Sequence, residues 1–446
     1  MTHLATALLV CGHSTRSQLI LAALDRLGFE TMRAATIDEA QPLSPSADIL
    51  LLCDDLGSEP LFVLAEAVRG DPQCADLPIC LLVENTSADI TRQAFLSSID
   101  DVVPSPLSDI KLLARLRPLV RLATMRKELR LRTAIARKFG LDLPPVAAQT
   151  VSSTGQRLLI VGEDGRSLAS ILPSATLIFS NDPFQAETLL NGPAFDAAIM
   201  VPSADPTPFL DLCVHLRQNP KLFHLPVLII DAKGVLDEDE AYRCGASGFL
   251  RPAASMNKNE LISAIAFLVR RQRLRWKIRA GLAASLSPST QDEDTGAYKK
   301  DFLDHYLPHR IAQANERDRQ LSAILLRIPD IENMRRRFGD KPATHLNRQL
   351  AQWINLMLRV EDMTALAGKN EFIAVLTDTS LSEATNVMHR IVGVLTYTDF
   401  AVADIYQPVR VWVRESCAQL IRGESPDAFM TRLRQDSLFL SDGAAM

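Results

Sequence analysis

The sequence predicts an α/β protein in three parts: two doubly wound parallel-sheet domains followed by an α+β domain. Three observations carry that prediction: a duplication across the first two thirds, continuously apolar runs inside each copy, and a switch to hairpin patterning in the last third.

The duplication is ordered. Leu8-Leu9-Val10-Cys11-Gly12 followed by Arg16-Ser17 returns as Leu158-Leu159-Ile160-Val161-Gly162 followed by Arg166-Ser167, an offset of 150. Asp48-Ile49-Leu50-Leu51-Leu52 returns as Asp196-Ala197-Ala198-Ile199-Met200, and Leu77–Leu82 returns as Leu225–Ile230, both at an offset of 148. Within each copy, short strands that are apolar at every position alternate with amphipathic helices, the signature of a parallel sheet covered on both faces. Each copy ends in a basic helix, Leu112–Arg132 and Leu261–Arg279. The second holds six cations among the ten residues Arg270–Arg279, which reads as a solvated connector rather than a nucleic-acid surface.

The last third changes pattern. Ser322–Leu326 reads as a strand. Over Thr344–Leu358, Leu346, Leu350, Trp353, Ile354 and Met357 share one helical face. Met363–Ala367 and Glu371–Leu376 flank Gly368-Lys369-Asn370, a hairpin signal. Ser380 and Glu383 fit a capping box opening a helix with Ala384, Val387, Ile391 and Leu395 inward. The expected limits are 1–135 and 150–280 for the repeated domains, 281–296 for a linker rich in Ser, Asp and Thr, and 297–446 for the α+β domain.

Composition agrees with this division. A chain of 446 residues has room for roughly three domains, and 47% hydrophobic against 23% charged residues gives each a core. Lys+Arg 48 against Asp+Glu 53, a net charge of −5, argues against a general nucleic-acid binder. Glycine is scarce, 19 in all, and neither GxGxxG nor GxxxxGK[ST] is present. The seven cysteines are scattered and form no CxxC pair, so they read as small core residues in a reducing compartment. Neither a basic, apolar N-terminal leader nor an apolar stretch of about 20 residues stands in the sequence, so a cytoplasmic protein without membrane insertion is expected.

The repeated domains resemble receiver domains of two-component signalling. That family holds Mg²⁺ with acids after the first strand and phosphorylates an Asp ending the third, with a Thr/Ser after the fourth and a Lys after the fifth. In the first copy those places carry Cys11 and Gly12, Cys53, Val83, and Ser105 before Pro106. Asp54 and Asp55 stand just past the third strand, and Asp55 is the one candidate phosphoacceptor, read more readily as a loop acid because the paired acids are missing. In the second copy Glu163 and Asp164 stand displaced from the acid places. The acceptor place holds Val201 or Pro202, Thr becomes Asp231 and Lys becomes Arg251 before Pro252. That copy is expected to be structural.

The segment 292–441 resembles a GGDEF domain, the fold of diguanylate cyclases, and the receiver–receiver–GGDEF order is that of the PleD type. The family's opening motif DxLTGLxNR stands as Asp292–Lys300, the signature as Gly368-Lys369-Asn370-Glu371-Phe372, and Arg337-Phe338-Gly339 also fits. The departures fall on the chemistry. The metal-binding acids are Arg327 and Asn370, the guanine-reading Asn and Asp are Arg335 and Thr344, the second signature glycine is Lys369, and the late phosphate-binding Lys is Ser441. No catalytic residue and no metal site is therefore expected.

The family's inhibitory site, RxxD five residues before the signature, is intact as Arg359-Val360-Glu361-Asp362, with Arg390 matching the secondary arginine. Its chemistry suits guanine: a guanidinium can donate to O6 and N7 while a carboxylate accepts from N1–H and the 2-amino group. Arg327–Asp330 and Arg337–Asp340 also read RxxD, but only Arg359–Asp362 has the required distance to the hairpin. The competing reading is an ordinary helix-end ion pair. The resemblance thus implies a non-catalytic receptor with cyclic di-GMP as its regulatory ligand and no other cofactor. It also implies a homodimer through the receiver-like domains and a regulatory protein docked on the first of them, at a cell pole. A scaffold with a vestigial site is the alternative, and an active cyclase would need the missing acids.

Overall fold

Runs that are apolar at every position suit strands covered on both faces, and each such run in the repeats forms one. The computed structural model describes residues 4–144, 155–203, 205–251 and 258–439, which fall into two units. Pro252 and Ser441 lie outside the described residues.

The first unit holds both repeats. The first comprises β1 (Ala5–Val10), α1 (Thr15–Arg26), β2 (Phe29–Ala34), α2 (Ile37–Leu43), β3 (Ile49–Cys53), α3 (Ser58–Gly70), β4 (Ile79–Val83), α4 (Ala88–Leu96), β5 (Asp101–Pro104) and the start of α5 (Asp109–Lys138). The second comprises β6 (Arg157–Val161), β7 (Thr176–Ser180), α6 (Pro183–Leu190), β8 (Ala197–Met200), α7 (Thr207–Gln218), β9 (Val227–Ile230), α8 (Glu238–Arg243), β10 (Gly248–Leu250) and most of α9 (Lys258–Ala284). Both sheets are parallel with one topology: β2-β1-β3-β4-β5 and its counterpart β7-β6-β8-β9-β10. Alternate residues serve opposite faces. Leu8, Leu50 and Leu81 pack into one core cluster while Leu9, Leu51 and Leu82 pack into another.

The copies diverge in two ways. The counterpart of α1 is a 3-10 stretch, Glu163–Ser170. The sheet register also refines the repeat: Val10 pairs with Leu52 and Val161 with Met200, so the first strands are offset by 151 while the third remain at 148. Gly162 therefore occupies the place of Cys11. Both donate their N–H to the end of the second strand, at Ser180 and Ala34.

The basic run of α9 is not the solvated face expected of it. Gln272 is buried, Arg270 donates to the carbonyls of Phe95 and Ile99, and Arg273 Nε lies 2.7 Å from Asp196 Oδ1. Long cationic side chains lay their stems on apolar surface and carry the charge to a partner, so a run of cations need not face water.

The second unit contains residues 124–138 of α5, the end of α9, and α10 (Lys300–Glu316), β11 (Leu321–Arg327), α11 (Asp330–Phe338), α12 (Asp340–Leu356), β12 (Met363–Gly368), β13 (Glu371–Thr377), α13 (Leu381–Tyr397), β14 (Arg414–Gln419) and α14 (Pro426–Phe439). Its antiparallel sheet runs β12-β13-β11-β14 with a core on each face, Ala323 and Leu325 on one side and Ile324 and Leu326 on the other. The capping box closes as expected, with Ser380 and Glu383 each accepting from the other's backbone N–H. On α12, Leu346, Leu350 and Ile354 are buried, whereas Trp353 is 39% exposed because Ile354 takes the core-facing place in that last turn.

The expected linker is packed. Ser285, Thr290 and Thr295 are buried, and Tyr298 donates its N–H to Thr364 while its carbonyl accepts from Leu366. The Ser/Thr richness that reads as solvation instead supplies short side chains that satisfy turns: the Thr290 hydroxyl donates to Ser285 O and Asp292 Oδ1 accepts from Thr295 N.

Candidate functional site

The RxxD residues lie in the turn between α12 and β12. A helix leaves its last carbonyls without intrahelical partners. Met357, just past α12, offers its carbonyl to Arg390 Nη2 at 2.6 Å, and a cation there also complements the helix dipole. The chain then folds back. Asp362 N donates to Arg359 O at 3.1 Å, and Asp362 Oδ2 accepts from Arg359 N at 2.9 Å.

Arg359 and Arg390 are thus brought to one helix end with exposed side chains, while Asp362 is buried. The two ends of the motif therefore differ: Arg359 faces solvent while Asp362 turns inward. The Asp362 carboxylate is held by the Arg359 backbone N–H, the nearest donor once the helix has ended.

The turn's backbone has an anchor that sequence reading missed. Arg132 of α5 donates through Nη2 to the carbonyls of Glu361 at 2.8 Å and Asp362 at 2.9 Å. Its Nε lies 2.7 Å from Glu128 Oε1, which also accepts from the Tyr306 hydroxyl at 2.8 Å. The Arg132 and Glu128 side chains are 4% and 0% exposed. Burial disfavours the Arg132 charge, but Glu128 overrides it and holds the group above its usual value. Burial and Glu128 together push Tyr306 well up. Only the i,i+4 pairing of Glu128 and Arg132 was visible in the sequence, and surface helices carry such pairs routinely.

At the far end of β12 stands the hairpin. Its turn is Lys369-Asn370, with Asn370 at φ 59°, a left-handed conformation that Asn tolerates well. Gly368 precedes it, and a Cβ there would lie 2.9 Å from Glu371 Oε2, the movable end of a flexible side chain. Arg327 and Glu371 face one another across β11 and β13, with Arg327 Nε and Nη2 at 2.9 and 2.6 Å from Glu371 Oε1. Arg434 Nη2 lies 3.6 Å from Glu371 Oε2.

Those residues do not fit a divalent cation. Mg²⁺ needs carboxylate oxygens, and here one acid place is a guanidinium that already engages the remaining acid, while the other is a neutral amide. At the two places the resemblance assigns to guanine reading, Arg335 Nε lies 3.0 Å from Asp340 and Nη1 3.3 Å from Glu332, and Thr344 is half-buried.

In the first repeat, Cys53 ends β3 and is buried with Cys11, whose hydrogen bond pushes the Cys53 thiol up together with burial. Asp54 pairs with Arg16 and accepts from Glu84 N at 2.7 Å. Asp55 accepts from Ser17 Oγ at 2.7 Å, Ser14 Oγ at 3.0 Å and Gly12 N at 3.1 Å. Burial opposes these donors, but their sum holds its carboxyl below the usual range.

In the second repeat the register resolves the acceptor place as Val201. Gly162, at φ 113°, packs so tightly on it that a Cβ would lie 2.3 Å from Val201 O. Asp164 is exposed and lies 3.0 Å from Lys233 Nζ. Asp231 is buried, accepts from Val235 N and Leu236 N at 3.0 and 3.2 Å, and pairs with Arg251 at 3.3 Å. Asp231 and Arg251, at the places where the resemblance expects Thr and Lys, thus close on each other.

The chain is similar to known proteins over most of its length. Residues 289–419 match the diguanylate cyclase, GGDEF domain family. The chain is 25% identical over 394 residues to the response regulator PleD of Caulobacter vibrioides, covering 86% of this chain and 85% of PleD. Among solved structures, the GGDEF domain of DgcB from Caulobacter crescentus in complex with c-di-GMP aligns with a TM-score of 0.34 at 18% identity, covering 35% of this chain and 90% of that one. The FimX GGDEF domain from Pseudomonas aeruginosa aligns with a TM-score of 0.32 at 16% identity, covering 34% and 92%. The chain thus has a PleD-like architecture, parallel-sheet α/β domains followed by a GGDEF domain. No described helix is long and apolar enough to cross a membrane.

Proposed function

We propose that this protein is a non-catalytic cyclic di-GMP effector that binds the dinucleotide at Arg359, Asp362 and Arg390. The observation that carries this reading is the contrast inside one domain. Arg327 engages Glu371 where the family would hold a metal, whereas Arg359 and Arg390 present exposed guanidinium groups beside the Asp362 turn. Cyclisation needs two metals to activate a hydroxyl against an α-phosphate, and the residues here supply no such pair. Guanine recognition needs only donors and an acceptor.

Ligand-bound protein then differs in partner affinity or domain arrangement. The first parallel-sheet domain is the dock for a regulatory protein, and the two such domains mediate a homodimer. Among PleD-type proteins the pattern of losses most resembles the degenerate paralogue PopA, and that resemblance implies recruitment of partners to a cell pole within cell-cycle control.

Calorimetry with cyclic di-GMP on the full chain and on Arg359→Gly tests the reading. Binding at micromolar affinity or tighter, lost in the variant, supports it, and no heat from the wild type leaves a nucleotide-independent scaffold. Incubation with GTP and Mg²⁺ or Mn²⁺ is expected to give no sustained dinucleotide synthesis, and turnover would overturn the non-catalytic assignment.

A further inference from the structure

The Arg359–Asp362 turn is only four residues long, yet its last two carbonyls are held by a residue more than two hundred positions earlier. Arg132 Nη2 bridges Glu361 O and Asp362 O at 2.8 and 2.9 Å, which fixes the peptide plane leading into Asp362. The same guanidinium is held from behind by Glu128 and lies over the Tyr298 ring at 5.6 Å. Tyr298 in turn bonds β12 on both sides of Ala365 through its N–H and carbonyl, so the anchor and the strand leaving the turn share one support.

A ligand site works only where its groups are held to within about 0.5 Å, and a buried, doubly bonded guanidinium is a rigid way to hold a backbone. We infer that Arg132 is a positioning residue of the dinucleotide site: from α5 it fixes the 359–362 turn, so ligand occupancy and the order of residues 124–138 are energetically coupled. This inference rests on the proposed dinucleotide reading of Arg359, Asp362 and Arg390.

Coupling of this kind is reciprocal. If α5 orders the turn for the ligand, the ligand orders α5 by the same factor. Residues 109–123 of that helix belong to the first unit by chain continuity. A site on the GGDEF domain thereby acquires a structural part contributed from outside the 289–419 segment.

The test uses the full chain with cyclic di-GMP as probe. Arg132→Lys keeps the charge opposite Glu128 but replaces a planar fork with a point donor that cannot serve Glu128 and two carbonyls in the same geometry. Calorimetry is expected to show affinity at least tenfold weaker in R132K, with Arg137→Ala, a variant at an exposed position on the same helix, binding as wild type. Hydrogen–deuterium exchange supplies a readout that a merely structural role would not move: ligand is expected to slow exchange over 124–138 in the wild type and not in R132K.

If R132K does not fold, Glu128→Gln, which keeps Arg132 and removes only its counter-charge, is expected to weaken binding at least threefold. Wild-type affinity in R132K or E128Q, or unchanged exchange over 124–138 when the wild type is saturated, overturns the coupling and leaves the dinucleotide reading standing. Absence of wild-type binding overturns both.

Discussion

The two ends of β12 hold the same kinds of side chain and put them to opposite use. At the hairpin end, the cations and the acid are paired with each other: Arg327 and Arg434 close on Glu371. At the turn end, the buried charges pair with each other and with backbone, Arg132 with Glu128 and two carbonyls, and two further cations are left at the surface. The difference is one of layering. A charge pair that closes on itself consumes the groups a ligand would need, whereas a buried pair that holds backbone leaves the outer layer for recognition. On the proposed reading, that layering is how a single domain loses one nucleotide site and keeps a neighbouring one.

The deepest layer of the turn end should break with the largest effect. Replacing Glu128 by Ala strands Arg132 in a site it shares with Tyr298 and Tyr306, and removing one partner of a buried ion pair costs about 3–5 kcal/mol. Urea denaturation followed at the second unit should show that loss, and a change below about 1 kcal/mol would mean that the pair is hydrated in solution and does not support the turn.

The other end of the same α5 segment has its own anchor. Asp378 accepts from Thr124 Oγ1 at 2.9 Å and from Arg319 Nε and Nη2 at 3.0 Å. Burial raises its carboxyl, but the Arg319 charge outweighs that and sets it at about 2. A depressed carboxyl stabilises the fold above the ordinary value near 4 and loses that contribution as pH falls through about 2. The contribution is about 2 kcal/mol at neutral pH. Unfolding free energy of the wild type should fall across pH 4 to 2 more steeply than that of Asp378→Asn. Parallel curves would detach Asp378 from acid stability.

How much of this was legible follows from the range of each interaction. The inner strands β1, β3 and β4 and their counterparts β6, β8 and β9 were readable because a fully apolar run can only be buried, and the capping box because its partners are three residues apart. The offset in the first strand was misjudged by one: Leu8-Leu9-Val10 matches both Leu158-Leu159-Ile160 and Leu159-Ile160-Val161, and only pairing with β3 and β8 separates the two registers. The α9 run looked solvated because composition counts charges without their partners, and Asp196 and the Phe95 and Ile99 carbonyls are far away in sequence. Arg359 was singled out by its distance to the hairpin and Arg390 by resemblance, and the structure brings both to one helix end. The inward turn of Asp362 was not legible, since the N–H that captures it is freed only where α12 actually stops. Arg132 was hidden for the same reason as Asp196: nothing local distinguishes a buried arginine from a surface one.

In the first repeat the same layering predicts a modest effect. Asp55 holds two serine hydroxyls and the Gly12 N–H, so Asp55→Ala leaves one backbone donor to find water and is expected to destabilise by about 1 kcal/mol. Radiolabel transfer from a histidine kinase should give no acyl-phosphate on the wild type. Label that disappears in Asp55→Asn would show instead that these donors hold a reactive acid.

The smallest expected cost in stability, and the sharpest test of the contrast, lies at the hairpin. Arg327 and Glu371 are partly exposed, at 32% and 13%, and a pair so placed contributes about 1 kcal/mol or less. Converting Arg327 and Asn370 both to Asp should therefore leave the fold close to wild type while changing its chemistry, because three carboxylates would then converge where one is now neutralised. Exchanging a cation for an anion at about 4 Å shifts the energy of a metal by about 4 kcal/mol per unit charge at an effective dielectric of 20, before solvation of the new acids reduces it. Mn²⁺ titration followed by water-proton relaxation should show a bound ion in R327D/N370D and none in the wild type. Equal enhancement in both would mean that the Arg327–Glu371 pair opens freely in solution. The hairpin end would then be a dormant site rather than a closed one, and the two ends of β12 would differ in occupancy instead of in structure.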